Sequence, residues 1–291
     1  RRSYCPRKAD LRRVEMSYRP AHFLGLIFSL PFLLIFTTFV VYPLLYSALI
    51  VSSGDYLSRV MSDPLFWRSL TNTLIYVGLG VNIKMFLALV LSGLLTFTRF
   101  KIVRAMSYLY LLPWAVPIIA GVLSYRWMLQ KEWGILNRFI SDIGLQPFNW
   151  LGSYEGAMAA LVSFHVWKWT PLWTLTFYAA RQGIDPSLYE VAKIDGASRL
   201  KEFLYITWPQ LKYLYAFNTM LSTIWVTGEF DIPYLLTRGD PGETTHMLST
   251  LGFRYAFVLL RIREGLSIYL LVIPVLLIFI MLLIRAFGGR R

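Results

Sequence analysis

Six long apolar runs constrain this chain more than any other feature, because a helix needs about 20 apolar residues to cross a hydrocarbon core of roughly 30 Å. Phe23 to about Leu49 has no charged residue, about Leu70 to Thr98 contains only Lys84, and about Ala105 to Leu129 carries Arg126. Ala157 to Ala180 carries Lys168, Tyr213 to Leu236 carries Glu229 and Asp231, and Gly265 to Ile284 is charge-free. Backbone groups in lipid must find their hydrogen bonds within the segment, and the runs far exceed the length of barrel strands, so six transmembrane helices are expected. Pro31, Pro43, Pro113, Pro117, Pro171 and Pro274 fall in or near these runs and predict kinks. Composition agrees, with 56% hydrophobic and only 15% charged residues. A soluble domain carries about 25% charged residues.

The formal charge of +13 raises nucleic acid as a partner, but the basic residues sit between apolar runs and build no basic face, so none is expected. Membrane topology explains the charge instead. With the N-terminus inside, the inner segments carry eighteen Lys and Arg and the outer ones eight, which places both termini in the cytoplasm. The first run exceeds the apolar core of a cleavable leader and lacks a small-residue cleavage site, so it reads as a span. Cys5 is the single cysteine and excludes an internal disulfide. The expected organisation is a cytoplasmic tail over 1–22, one six-helix domain over 23–286 and a short tail over 287–291, in a multi-pass protein of the bacterial inner membrane.

One polar segment, 181–212, interrupts the apolar pattern on the expected cytoplasmic side. Asp185 is a good N-cap and Pro186 suits the first helical position, so a short helix is predicted to about Ile194. Asp195-Gly196 signals a turn, and Ser198 caps a second short helix predicted to end before Pro209. By pattern alone this helix, bend and helix would also suit an amphipathic connector on the lipid surface.

The spacing is more specific. Glu190-Val191-Ala192, then three residues to Gly196, then Pro209 thirteen residues on, resembles the signature loop of permease subunits of binding-protein-dependent ABC importers. Asp63-Pro64 with Phe66-Trp67 and Asn72-Thr73, Leu112-Pro113-Trp114-Ala115-Val116-Pro117, Trp133-Gly134 with Asn137, and Leu235-Leu236-Thr237 resemble the carbohydrate, maltose-type branch over roughly residues 20–286. The resemblance implies a type I importer permease fold in which Glu190, Ala192, Asp195, Gly196 and Ala197 form the coupling element. That element would sit in a cleft on a cytoplasmic ATPase. Two departures stand out: Val191 replaces the first of two alanines, and Asp240 in Arg238-Gly239-Asp240-Pro241 replaces a second glycine. The family further implies a second, non-identical permease, two ATPase subunits and a periplasmic solute-binding protein docked on the outer segments. ATP and magnesium would be held by the ATPase, since this chain has no G-x-x-x-x-G-K-S/T sequence and no cofactor of its own is expected.

Polar residues in apolar spans mark functional sites because they are costly there. His165, Trp169 and Leu172 recur at helical spacing on the fourth run, and Ser222, Trp225 and Glu229 do so on the fifth. The resemblance assigns all six to the sugar path, and aromatic faces with a few hydrogen-bonding groups suit a sugar. The alternative is that the tryptophans pack between helices and His165 is a satisfied interior histidine. Lys84, Lys168 and Asp231 are each open to lining the path, pairing with another subunit or snorkelling. Lys168 beside the aromatic face points to an anionic sugar, and overall similarity points to an alginate-type uronic-acid oligosaccharide. A neutral oligosaccharide and glycerol phosphate stand as alternatives. No paired catalytic groups, H-E-x-x-H or G-x-S-x-G sequence occurs, so no enzyme is expected. An ion-gradient-driven transporter or a channel subunit is the competing class, but either leaves the Glu190 segment unexplained.

Overall fold

The computed structural model describes residues 27–97 and 109–288, and the described residues are helical with no strands. The end of the second expected span at Thr98, the start of the third near Ala105, the N-terminal tail and the last three residues of the C-terminal tail lie outside the described residues. Among the described residues three helices are long and apolar enough to cross a membrane: Ile27–Ser52, Pro64–Thr96 and Ile262–Leu282. The chain divides into two compact units at Asp55. The first contributes α1 (Ile27–Ser52), which contains a π-helical turn at Thr37–Val41 and exposes nearly every side chain. The second contains everything from Tyr56 onward.

Its first elements are α2 (Tyr56–Met61) and α3 (Pro64–Phe97). Asp63 accepts the Leu65 amide at 2.8 Å through its carboxylate, and Pro64 occupies the first helical position where its missing N–H costs nothing. Along α3 a buried stripe runs through Ser69, Asn72, Thr73, Tyr76, Val77, Val81, Lys84, Met85, Ala88, Leu89 and Ser92, at three- and four-residue steps. That stripe makes the most extensive helix contact in the protein, with α7 (Tyr154–Gln182). Ser153 caps α7 through the Gly156 amide, and the helix runs unbroken through Pro171.

Two of the expected spans are broken. The third contains α4 (Leu112–Ala115) and α5 (Ile118–Met128), separated at Val116. Pro117 bars α geometry at the residue before it, and Val116 is extended at ψ 131°. The fifth is α10 (Trp208–Thr227) followed by α11 (Asp231–Leu236), with Gly228 ending the first. Glu229 therefore lies in a break and not on a helix face. The chain closes with α12 (Leu248–Phe253), a π-helical turn at Arg254–Val258 and α13 (Ile262–Gly288), which runs through Pro274.

Buried asparagines bind the connecting segments. Asn72 donates to the carbonyls of Thr244 and His246 and accepts the Tyr154 hydroxyl at 2.8 Å, while Thr73 accepts the Leu248 amide. Asn137, on α6 (Ile135–Asp142), donates to the carbonyls of Gln130, Lys131 and Phe148 and accepts from the Phe148 amide and the Trp150 indole. A Cβ at Gly134 would lie 2.3 Å from the Gln130 carbonyl, so the Trp133-Gly134 turn and Asn137 form one clasp. At the other departure, positive φ falls on Arg238, Gly239, Gly242 and Glu243 but not on Asp240, so the aspartate fits this loop without left-handed backbone. Asn137→Leu should strand several buried backbone groups and lower stability by about 3 kcal/mol. Thermal unfolding in detergent and protease cleavage within 130–150 would read this; unchanged melting and cleavage would show that the clasp is dispensable.

Candidate functional site

A chain of buried polar groups joins α3, α7 and the Gly228 break. Glu229 Oε2 accepts the Tyr76 hydroxyl at 2.5 Å and meets His165 Nδ1 at 2.8 Å, while its Oε1 accepts the Trp169 indole N–H at 3.1 Å. On the far side of the imidazole, Lys84 Nζ lies 2.8 Å from His165 Nε2. The partners assign the tautomer: a carboxylate only accepts, so Nδ1 carries the proton, and Nε2 accepts from the ammonium. Lys84 is 1% exposed and His165 0%. Such burial is tolerable because one cation and one anion face each other through a neutral ring. Gly80 makes room for that ring, since a Cβ there would lie 3.1 Å from His165 Cδ2. The Glu229 backbone is held by Ser249, whose hydroxyl donates to the Glu229 carbonyl at 2.8 Å.

Beside this chain lies a cavity of about 330 Å³. The structure brings His165, Trp169, Ser222, Trp225 and Glu229 together around it, along with Lys84, Trp173 and Asp231. Leu172 is not among the lining residues. Trp173, a further four-residue step along α7 from His165 and Trp169, lines the cavity instead. The rings of Trp173 and Trp225 stand 6.0 Å apart, and Trp225 is 55% exposed. Ser222 is 1% exposed and its hydroxyl has no hydrogen-bond partner.

Lys168 does not reach the cavity. Its ammonium donates to the carbonyls of Pro113 and Trp114, each at 2.9 Å, and to that of Val116. These carbonyls are the ones the Pro117 break leaves without helical partners. Arg181 is used similarly, donating to the Ser92 hydroxyl at 2.9 Å and the Leu89 carbonyl at 3.1 Å.

The Glu190 segment forms α8 (Pro186–Ile194). Asp185 caps it through the Ser187 amide at 2.9 Å, and that N–H holds the carboxyl below its usual range. Its other end is a Schellman motif: the Ala197 amide donates to the Ala192 carbonyl at 2.8 Å and the Gly196 amide to the Lys193 carbonyl at 3.1 Å. Gly196 has φ 68° and Asp195 is the C-cap. Nothing lies within 4 Å of a Cβ built at Gly196, so within this chain its requirement is conformational and not steric. Ser198 then caps α9 (Arg199–Glu202), but this second helix does not end before Pro209. It continues through a π-helical stretch, Phe203–Thr207, into α10, with Pro209 in the first turn of the latter. The wider π turn accommodates the proline's missing donor. Glu190 is exposed, as are Val191, Ile194, Leu200 and Tyr205. The Tyr189 hydroxyl contacts Thr207 Oγ1 at 2.8 Å and ties α8 to the π stretch.

Tyr76, Trp173, Gly80 and Ser249 were not singled out from sequence. Tyr76 and Trp173 share helix faces with Lys84 and Trp169, a usable signal; Gly80 and Ser249 carry none.

Among the described residues the protein is all-helical, with helices long and apolar enough to cross a membrane and a cavity lined by aromatic and charged side chains, which fits an integral membrane transport subunit. The chain belongs to the family described as binding-protein-dependent transport system inner membrane component, whose model matches residues 22–291. It is 35% identical over 255 residues to the trehalose/maltose transport system permease protein MalF of Thermococcus litoralis, covering 83% of this chain and 85% of that one. It is 29% identical over 238 residues to the lactose transport system permease protein LacF of Rhizobium radiobacter, with 77% and 80% covered. The fold matches a chain in the crystal structure of a bacterial ABC transporter involved in the import of the acidic polysaccharide alginate, at a TM-score of 0.84 and 22% identity, over 94% of this chain and 98% of that one.

Lys84→Met leaves Glu229 uncompensated and should destabilise the protein by about 3–5 kcal/mol. Adding Glu229→Gln should recover part of that loss, read by thermal unfolding of the single and double variants; strictly additive losses would show that the two charges are not coupled.

Proposed function

We propose that this chain forms half of the translocation path of an ATP-driven sugar importer and couples it to a cytoplasmic ATPase through α8 and its Gly196 bend. In this reading the chain is one domain with six spans, both termini are cytoplasmic, and the broken third and fifth spans stand at the path. The partners are a second homologous permease, two ATPase subunits that bind ATP and magnesium, and a periplasmic solute-binding protein. The similarity to permeases named for trehalose, maltose and lactose transport supports a carbohydrate cargo. So does a cavity walled by Trp169, Trp173 and Trp225, because flat aromatic faces suit sugar rings.

The observation that carries the coupling is the exposed, rigidly bent α8. It presents the Glu190 carboxylate beside exposed Val191 and Ile194, which nothing among the described residues covers. A charged group flanked by apolar side chains suits a protein cleft with an arginine in it. Glu190→Lys should weaken ATPase association while leaving membrane insertion intact.

Gly196 separates intrachain strain from partner contact. Gly196→Ala and Gly196→Trp impose similar left-handed strain, of about 1–2 kcal/mol. Only the tryptophan would meet a docked surface, so Gly196→Trp should abolish ATP-coupled uptake in proteoliposomes while Gly196→Ala reduces it modestly. Uptake that survives both Gly196→Trp and Glu190→Lys, or that runs on an ion gradient without ATP, would refute the proposed coupling.

A further inference from the structure

We propose that this subunit's side of the path selects an uncharged glycan and rejects uronates, with Asp231 as the excluding charge. The inference rests on the proposed sugar path and narrows its substrate class. Among the described residues around the cavity the single cation is Lys84, and it is committed: its ammonium lies 2.8 Å from His165 Nε2 and faces Glu229 through the ring. The neighbouring candidate, Lys168, gives its hydrogens to three backbone carbonyls and does not line the cavity.

The anions are not all committed. Asp231 is exposed at the cavity and has no hydrogen-bond or ion-pair partner among the described residues. Glu229 balances Lys84, so Asp231 leaves the lining negative by one charge. Of the hydrogen-bonding groups, the Ser222 hydroxyl is buried, unpartnered and at the cavity. It can donate and accept, and the Asp231 carboxylate only accepts. Sugar hydroxyls do both and satisfy this set. A uronate carboxylate accepts only, finds no unpaired cation, and meets the like charge of Asp231.

Two titrations on the assembled transporter, without its binding protein, test this. The purified complex is titrated with a neutral malto-oligosaccharide and with an oligouronate of equal length at fixed ionic strength, following quenching of tryptophan fluorescence, with Trp225→Phe as the control for signal at this cavity. The neutral glycan is expected to bind at least tenfold more tightly, and Asp231→Asn is expected to narrow that ratio severalfold. Equal or tighter binding of the oligouronate, binding of neither, or a ratio that Asp231→Asn leaves unmoved would overturn the inference. Dependence of uptake on ATP is read separately, so the coupling proposal stands or falls without reference to these titrations.

Discussion

The compensation of Lys84 by Glu229 through His165 is the interaction on which the interior depends. Neither charge would survive alone among apolar helices, and the two do not touch each other. The imidazole between them must therefore be held in one tautomer and one position, which is what Gly80 and the 2.8 Å contacts on both ring nitrogens achieve. Because the members sit on α3, α7 and the Gly228 break, the pairing also fixes how these segments meet. The extensive α3–α7 contact is in this sense a consequence of buried charge as much as of apolar area.

The other buried cations follow a different rule. Lys168 and Arg181 are met by carbonyls and a hydroxyl, and not by acids. A helix break in an apolar environment leaves carbonyls unpaired, and an ammonium is a compact way to satisfy several at once. The Pro117 break and Lys168 are thus one device assembled from distant positions, and either without the other would leave a costly buried group.

This explains what was legible in the sequence. Apolar run length, the Asp-Pro helix starts and the Asp195-Gly196 bend are local signals, and they located the long helices, α8 and its Schellman end closely. The breaks were half legible: prolines announced the third, but a single Gly228 hid the one that displaces Glu229 from its assumed helix face. Lys168 stayed open among three roles in the sequence, since its partners are backbone carbonyls more than fifty residues away and leave no trace in side-chain pattern. Leu172 shares the helical spacing of His165 and Trp169, and only the packing shows that Trp173 borders this cavity and Leu172 does not.

The contrast between the satisfied interior and the uncovered α8 gives the proposed coupling a physical route. Residues 199–227 are helical without interruption, and at 1.5 Å per residue they span about 40 Å. One end of that rod is fastened to α8 by the Tyr189–Thr207 contact; the other carries Ser222 and Trp225 into the cavity wall and ends at the break holding Glu229. Only the bend at 195–198 separates α8 from this rod, and within the rod the π stretch at Phe203–Thr207 widens the helix. In the proposed coupling, a displacement at the exposed end would travel along this rod to the residues that line the cavity. There the Lys84–His165–Glu229 chain would oppose it until the break moved with it, as a two-state gate requires.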